Sequence, residues 1–223
     1  MIAIIKKEIK SYFLSPIGYV FIGLFLGLAS VFFTISVFLN GSIRFQDMFR
    51  PVAVLLTFLV PMLTMRTFVE EKNNGTDILL FTSPKSITEI VLAKFISANI
   101  IIVITTIFTL VYYFILKYFG NPDITMVITS ILGMLLLGMS YISFGIFVSS
   151  IAINQINAAI TTVVFFVFSW FLPAITPVFK YFSLINMYDK FLSGVISVTD
   201  IFTYITFTII FILLTIIFLQ RRK

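Results

Sequence analysis

Two adjacent carboxylates, Glu70 and Glu71, are the groups in this sequence that could serve as a general acid and base. They lie in a polar stretch, Arg66 to Lys94, between two long apolar runs. The sequence has no histidine and no cysteine, which removes the usual zinc, copper, haem and iron-sulfur ligands, thiol nucleophiles and any histidine base. An intramembrane enzyme built on the two glutamates is therefore a weak hypothesis. We expect no catalytic, metal-binding or cofactor-binding residue in this chain.

The composition indicates an integral membrane protein. Hydrophobic residues make up 60% of the 223 residues, charged residues make up 11%, and the mean hydropathy is +1.15. A soluble domain of this size could not bury so much apolar surface. The net charge of +6 comes from short flanks of apolar runs, where the positive-inside rule accounts for it, so no nucleic-acid partner is expected. No GxxxxGK[ST] phosphate loop is present, so the chain has no P-loop ATP site of its own.

Six apolar stretches have about the length that a helix needs to cross a bilayer. The sequence therefore predicts an all-α fold, a single transmembrane domain over residues 1–223, with spans at residues 17–39, 51–69, 95–116, 124–149, 158–179 and 201–219. Gly133, Gly138 and Gly145 thin the fourth span and favour close helix contact, as does the GxxxG at Gly23 and Gly27. We expect no ionisable residue inside any span, which points to an energy source outside the spans.

The distribution of lysine and arginine predicts that both chain ends are cytoplasmic. With that orientation ten basic residues lie inside: Lys6, Lys7, Lys10, Arg66, Lys72, Lys85, Lys94, Arg221, Arg222 and Lys223. Five lie outside: Arg44, Arg50, Lys117, Lys180 and Lys190.

Residues 1–16 predict an amphipathic helix at the cytoplasmic surface of the membrane. Its apolar face consists of Ile2, Ile5, Ile9, Tyr12 and Phe13. Lys6, Lys7 and Lys10 are expected to extend to lipid headgroups. Ser15 and Pro16 then provide an N-cap and a first-turn proline for the first span. The alternative is a basic flank that only fixes the topology.

A second amphipathic helix is predicted on the outer surface, within residues 180–198. Its apolar stripe consists of Leu184, Tyr188, Phe191, Leu192 and Val195. Asp189 and Lys190 lie opposite this stripe, and Gly194 can end the helix.

The cytoplasmic segment 70–90 begins with the two glutamates, which we expect to pair with Arg66, with the N-terminal lysines or with a partner protein. Asn74 and Gly75 suit the end of a helix, because a left-handed residue is needed there.

A short helix is predicted next, capped by Thr76 or Asp77 and ended by Pro84. Its apolar residues, which need a hydrophobic surface to rest on, are Ile78, Leu79, Leu80 and Phe81. Ser86 and Glu89 have the spacing of a capping box before the third span. The alternative is a polar loop folded onto its own bundle.

The motif E-E-x-x-x-G-T-x-x-L-L-x-T-x-P at Glu70 to Pro84 resembles the segment between spans two and three of type-2 ABC exporter permeases. KKEIKSYFLSPIGYVF at Lys6 to Phe21 and FLSGVISVTDI at Phe191 to Ile201 resemble the subfamily of gliding-motility-associated and nitrous-oxide-reductase maturation permeases. The resemblance covers essentially the whole chain. One departure is Lys72, where the commoner pattern has arginine after the glutamate pair.

The resemblance implies a permease subunit of the bacterial cytoplasmic membrane that pairs with a second copy or a related permease. A separate cytoplasmic ABC ATPase would bind ATP and Mg²⁺, with Thr76 to Phe81 as the coupling helix. The implied coupling interface is Glu70, Glu71, Gly75, Thr76, Asp77, Ile78, Leu79, Leu80, Phe81 and Pro84. The N-terminal helix would lie against both the ATPase and the lipid. A membrane anchor or assembly platform for an ATPase that performs mechanical work is the alternative to export.

Overall fold

A computed structural model describes residues 1–39, 41, 44, 46–76, 85–175 and 183–222. Within these ranges the chain is helical and contains no strand. The helices are α1 Ile2–Leu14, α2 Pro16–Thr34, α3 Gln46–Thr64, α4 Val69–Asn73, α5 Ile87–Phe108, α6 Leu110–Phe119, α7 Ile124–Ile151, α8 Gln155–Ile175, α9 Leu184–Leu192 and α10 Val198–Arg222. A π-helical turn, Ile35–Leu39, continues α2.

Five helical segments of the described chain are long and apolar enough to cross a membrane. They are Pro16–Leu39, Gln46–Asn73, Ile87–Phe119, Ile124–Ile151 and Val198–Arg221, and each contains most or all of one predicted span. The remaining predicted span, 158–179, falls on α8, of which the described apolar part, Gln155–Phe171, is shorter. Five span-forming helices are therefore shown, and the sixth span stays a prediction.

Helix α7 is the centre of the bundle and packs against α3, α5, α8, α9 and α10. Glycines allow this close packing. A Cβ at Gly138 would lie 2.9 Å from the Ile102 side chain of α5, and a Cβ at Gly145 would overlap the side chain of Thr64 on α3. The prediction that these glycines permit close helix contact is confirmed.

Local signals in the sequence set several helix ends. Pro16 begins α2 directly after Ser15, and the Ser86 hydroxyl accepts a hydrogen bond of 3.2 Å from the Glu89 N–H at the start of α5. Gly75 and Gly194 have φ values of 67° and 78° just beyond the ends of α4 and α9. These positive φ values are the left-handed conformation that glycine adopts without steric cost.

The two ends of the bundle carry different short helices. α1 packs against α5 and α2 at one end, which we call the α1 end, whereas α9 packs against α7 and α3 at the other, the α9 end. α10 runs parallel to α7, since Ser140 meets Tyr204 and Phe147 meets Phe211 further along. Both termini of the described chain therefore lie at the α1 end. That this end is cytoplasmic stays a prediction.

The structure corrects the predicted face of α1. Tyr12 does not lie on the lipid-facing side but is buried against the bundle together with Glu8. The reason is that its hydroxyl finds a backbone acceptor there, the Leu63 carbonyl at 3.2 Å. Ile5, Ile9 and Phe13 are half-buried along the side of the helix.

The apolar stripe of α9 is buried inside the protein. Leu184, Tyr188, Phe191 and Leu192 pack against the bundle, whereas Val195 beyond the helix end is exposed. The predicted position of this helix on the outer membrane surface is not tested by these contacts and stays a prediction.

Candidate functional site

The second membrane-crossing segment is interrupted at the α1 end, between Thr64 and Val69. In this helix break, residues 65–68, the Thr67 N–H bonds to the Thr64 carbonyl at 3.1 Å and not to the carbonyl four residues back. The chain then resumes as α4. A break inside a packed bundle leaves backbone groups without helical partners, and buried groups of this kind must find other partners.

Three side chains from three other helices satisfy these groups. Tyr12 of α1 donates to the Leu63 carbonyl at 3.2 Å, and Lys94 of α5 donates to the Thr67 carbonyl at 2.7 Å. The Ser149 hydroxyl of α7 accepts from the Phe68 N–H at 3.1 Å and donates to the Met65 carbonyl at 3.2 Å. We call the helix break with these three side chains the junction. It attaches the chain after α3 to α1, α5 and α7 at once.

Lys94 is the electrostatic centre of the junction. Its side chain is 1% exposed, and its Nζ lies 3.0 Å from Glu8 Oε1 of α1 and 3.0 Å from Glu71 Oε2 of α4. The contact with Glu8 is also a hydrogen bond, whereas Glu71 Oε2 is held by charge without hydrogen-bond alignment. From the surface, Lys7 reaches Glu71 Oε1 at 3.3 Å. A buried ammonium is tolerated only when paired in this way.

The other glutamate has a different partner. Arg66 holds Glu70 in a two-pronged contact one helical turn away, Nε to Oε2 at 2.6 Å and Nη2 to Oε1 at 2.9 Å. The two expected intramolecular pairings of Glu70 and Glu71 therefore both occur, one for each residue. Each carboxylate is therefore paired with a cation, and the two glutamates connect α4 to α1, α5 and the helix break.

Lys72 connects α4 to the end of α7. Its Nζ donates to the Ala152 carbonyl at 3.4 Å, next to the last residue of that helix. A cation at this position complements the negative end of the helix dipole. Together with Ser149, this contact attaches both sides of the helix break to the final turn of α7.

A polar cavity of about 200 Å³ lies between α1 and the helix break. Glu8, Tyr12, Arg66, Glu71 and Lys94 contribute to its walls. Burial, and next the Glu8 carboxylate, raise the pKa of Tyr12 above its ordinary value, so this phenol stays neutral. The described residues contain no cluster of three or more acidic side chains arranged to hold a metal ion.

Comparison with known protein families gives one match over nearly the whole chain. The model of the family described as ABC-2 family transporter protein matches residues 2–220. The chain belongs to the ABC-2 transporter family. Comparison with the curated proteins finds no match.

The structure of this ABC-2 protein brings some predicted site residues together. Glu70 and Glu71 lie at the junction, Gly75 ends α4, and the Thr76 N–H and hydroxyl both donate to the Glu71 carbonyl, at 2.9 and 3.2 Å. The predicted coupling residues Asp77, Ile78, Leu79, Leu80, Phe81 and Pro84 lie outside the described residues. In α1, Lys6 and Lys10 are exposed, whereas Lys7 pairs with Glu71.

Sequence reasoning missed Glu8, Lys94 and Ser149. Lys94 was expected in a flank before a span starting at Phe95, but α5 already begins at Ile87. The cap at Ser86 is the signal that could have shown this, because it places Lys94 on the same helical face as the buried residues Ile87, Ile90, Val91 and Ala98. No local signal indicates Ser149, which is one serine among several in α7.

Proposed function

We propose that this ABC-2 protein is the permease subunit of an ABC exporter in the bacterial cytoplasmic membrane. Two copies form the translocation pathway, and a separate cytoplasmic ABC ATPase binds and hydrolyses ATP with Mg²⁺. The family match over residues 2–220 supports a membrane component of a transporter. The resemblance of the segments Lys6 to Phe21 and Phe191 to Ile201 supports the narrower placement among permeases of the gliding-motility and nitrous-oxide-reductase maturation type.

The junction is the observation that carries the proposal. Residues 70–90 follow directly from the helix break, and the break is bonded to α1, α5 and α7 through Tyr12, Lys94 and Ser149. An ATPase that moves this segment would therefore move several membrane helices together. Tightly packed elements respond to such a displacement as units and not by gradual deformation.

The apolar face Ile78 to Phe81 is the part of the segment that we propose for the ATPase contact. Each Leu buried in a cleft of the partner would contribute about 1.5–3 kcal/mol. A carboxylate placed there without a partner is costly. Leu79→Asp or Leu80→Asp should therefore release the ATPase while the permease remains folded and inserted.

Co-purification in mild detergent tests this assignment. The matched control is Ile153→Asp, which adds a carboxylate at an exposed apolar position beyond the end of α7 at the same end of the bundle. The control should retain the ATPase. If the Leu79 and Leu80 variants also retain it with undiminished affinity, the coupling-helix assignment is wrong. Replacing Glu70 and Glu71 by Gln should weaken the coupling of ATP hydrolysis to transport more than it weakens assembly.

An exposed face of α2 supports the proposal that two copies of the chain associate. Val20, Leu24 and Val31 are exposed along one side of the helix, and Cβ atoms at Gly23 and Gly27 on that side would meet no atom of the described chain within 4 Å. A GxxxG stripe without a partner among the described residues is suited to close contact between two helices in a membrane. Gly27→Leu should therefore reduce the fraction of dimer in detergent, measured by light scattering, whereas Thr161→Leu, at an exposed position of α8, should not.

A further inference from the structure

Two cavities lie at the α9 end of the bundle, opposite the junction. One, of about 890 Å³, lies between the end of α2, the start of α3 and α9; the other, of about 350 Å³, lies between α3, α8 and α9. Arg50, Pro51 and Asp189 line both. Both cavities are open to the surface of the protein, and these three residues form the wall that they share.

An ion pair closes this wall. Arg50 Nε lies 3.0 Å from Asp189 Oδ1, and Nη2 lies 3.2 Å from Oδ2, which is a two-pronged contact between α3 and α9. The side chains are 68% and 39% exposed. A pair this accessible to solvent contributes little to stability, so it can separate without unfolding either helix.

The position of Asp189 depends on α7. The neighbouring Tyr188 donates to the Ser130 carbonyl of α7 at 3.1 Å in a buried hydrogen bond. A Cβ at Gly133 would lie 2.7–2.9 Å from Phe191 and Tyr188, so α9 lies almost on the α7 backbone. With contacts this close, a shift of α7 must carry α9 with it.

The opposite end of α7 is held at the junction. Ser149 bonds both sides of the helix break, Lys72 bonds the Ala152 carbonyl, and Gly145 lies against Thr64. Helix α3 likewise ends at the break and carries Arg50 near its start. A change at the junction that slides α3 against α7 therefore alters the distance between Arg50 and Asp189.

We propose that Arg50 and Asp189 form a gate between the two cavities at the α9 end, and that α7 sets this gate according to the state of the junction. The gate is a property of this chain alone. Only the source of movement at the junction, an ATPase, rests on the proposed function. Closed, the pair separates the cavities; open, it joins them into one chamber beside α3.

Accessibility of a cysteine in the smaller cavity tests the gate. The chain has no cysteine of its own, so Val54→Cys, which lines that cavity, is a unique label site. The permease, without an ATPase, is placed in lipid vesicles and treated with a membrane-impermeant methanethiosulfonate. Asn121→Cys in the exposed loop before α7 serves as the reference. Asp189→Asn should raise the modification rate at Val54→Cys by about fivefold, as expected for loss of an exposed pair, and leave the reference unchanged.

Exchanging the two charges should restore the closed gate. The double variant Arg50→Asp with Asp189→Arg re-creates an opposite-charge pair and should return the rate at Val54→Cys toward that of the native background. If Asp189→Asn does not change the rate, or if the swap labels as fast as the single variant, the pair is not a gate.

A change at the junction end of α7 tests whether this helix couples the junction to the gate. Ser149→Ala removes the hydroxyl that bonds the helix break, and its matched control Ser150→Ala removes a neighbouring buried hydroxyl that bonds only the Phe147 carbonyl of its own helix. Ser149→Ala should change the rate at Val54→Cys about threefold or more, whereas Ser150→Ala should not, as for a coupling of typical size. Equal rates in both variants would refute the coupling. Because no ATPase is present, this failure is distinct from loss of ATPase binding in the co-purification test.

Discussion

Removing the charge of Lys94 tests the junction most directly. In Lys94→Met, Glu8 and Glu71 both lose the buried ammonium that lies 3.0 Å away. They keep only the exposed Lys7, which lies 4.0 Å from Glu8 and 3.3 Å from Glu71. The two carboxylate side chains are only 12% and 13% exposed, so water screens them poorly. Breaking a buried pair by removing one partner costs about 3–5 kcal/mol. Most of this cost disappears when α1 leaves the bundle, because Glu8 is then hydrated.

Tryptic cleavage of α1 measures this release. Lys6, Lys7 and Lys10 are cleavage sites on the helix, and cleavage follows the population of the open state when opening is fast. A cost of about 3 kcal/mol corresponds to roughly a hundredfold faster loss of the N-terminal segment. The matched control is Lys85→Met, which removes an exposed lysine whose nearest carboxylate, Glu89, is 4.0 Å away and should leave the rate unchanged.

Neutralising Glu8 and Glu71 in the Lys94→Met background provides a second test. Lys94→Met combined with Glu8→Gln and Glu71→Gln no longer buries carboxylates that have lost their buried cation, so most of the protection of α1 should return. A Lys94→Met rate within about threefold of the native protein would contradict the cost assigned to the buried pair. A triple variant cleaved as fast as Lys94→Met would show that the carboxylates are not what makes the single change costly.

Four further outcomes are expected. Tyr12→Phe leaves the Leu63 carbonyl without its donor and should loosen α1 by about 1 kcal/mol, seen as faster tryptic cleavage. Because burial raises the pKa of Tyr12, folding retains a proton that the unfolded chain loses near pH 10, so the native protein should lose more thermal stability than Tyr12→Phe between pH 8 and pH 11. Gly133→Ala forces a Cβ against Tyr188 and Phe191 and should destabilise the protein by about 1–3 kcal/mol in thermal melts, whereas Thr206→Ala, at an exposed position of α10, should not. Finally, a cysteine at Met1 should react with an impermeant thiol reagent only after cells are opened and one at Asn121 should react from outside; external labelling at Met1 would overturn the predicted orientation.

The features that sequence reasoning predicted well depend on local physics. Membrane insertion follows from the length and apolarity of each run, which needs no knowledge of neighbours. The starts of α2 and α5 follow from Pro16 and Ser86, and the ends of α4 and α9 follow from Gly75 and Gly194, because first-turn prolines, caps and left-handed residues act within one turn. The Ser15 side chain makes no capping hydrogen bond and donates to the Tyr12 carbonyl at 3.3 Å. The family resemblance was also readable from the sequence, and the match over residues 2–220 confirms it at the family level.

Only part of the candidate site could be predicted from the sequence. The glutamate pair was recognised as important, and its pairing with Arg66 and with an N-terminal lysine was among the expectations. The buried ion pairs of Lys94 were not predicted, because the sequence suggested that Lys94 was one of several basic residues flanking the spans. The burial of Glu8 was not predicted either, because an acidic residue between lysines on a surface helix normally faces water.

The sequence by itself determined that this protein lies in a lipid bilayer and where most of its helices are. It also identified the polar segment through which a partner is expected to act. The tertiary structure alone decided which charges are buried. Lys94 and Glu8 are 86 residues apart, and Lys94 and the Thr67 carbonyl are 27 apart, so their contacts exist only once α1, α5 and the helix break are packed together. The same holds for Tyr12 and Ser149, whose partners are backbone groups that become available only where α3 is interrupted. A buried charge or hydroxyl is stable only with its partner in place, and that partner is set by packing and not by neighbours in the chain.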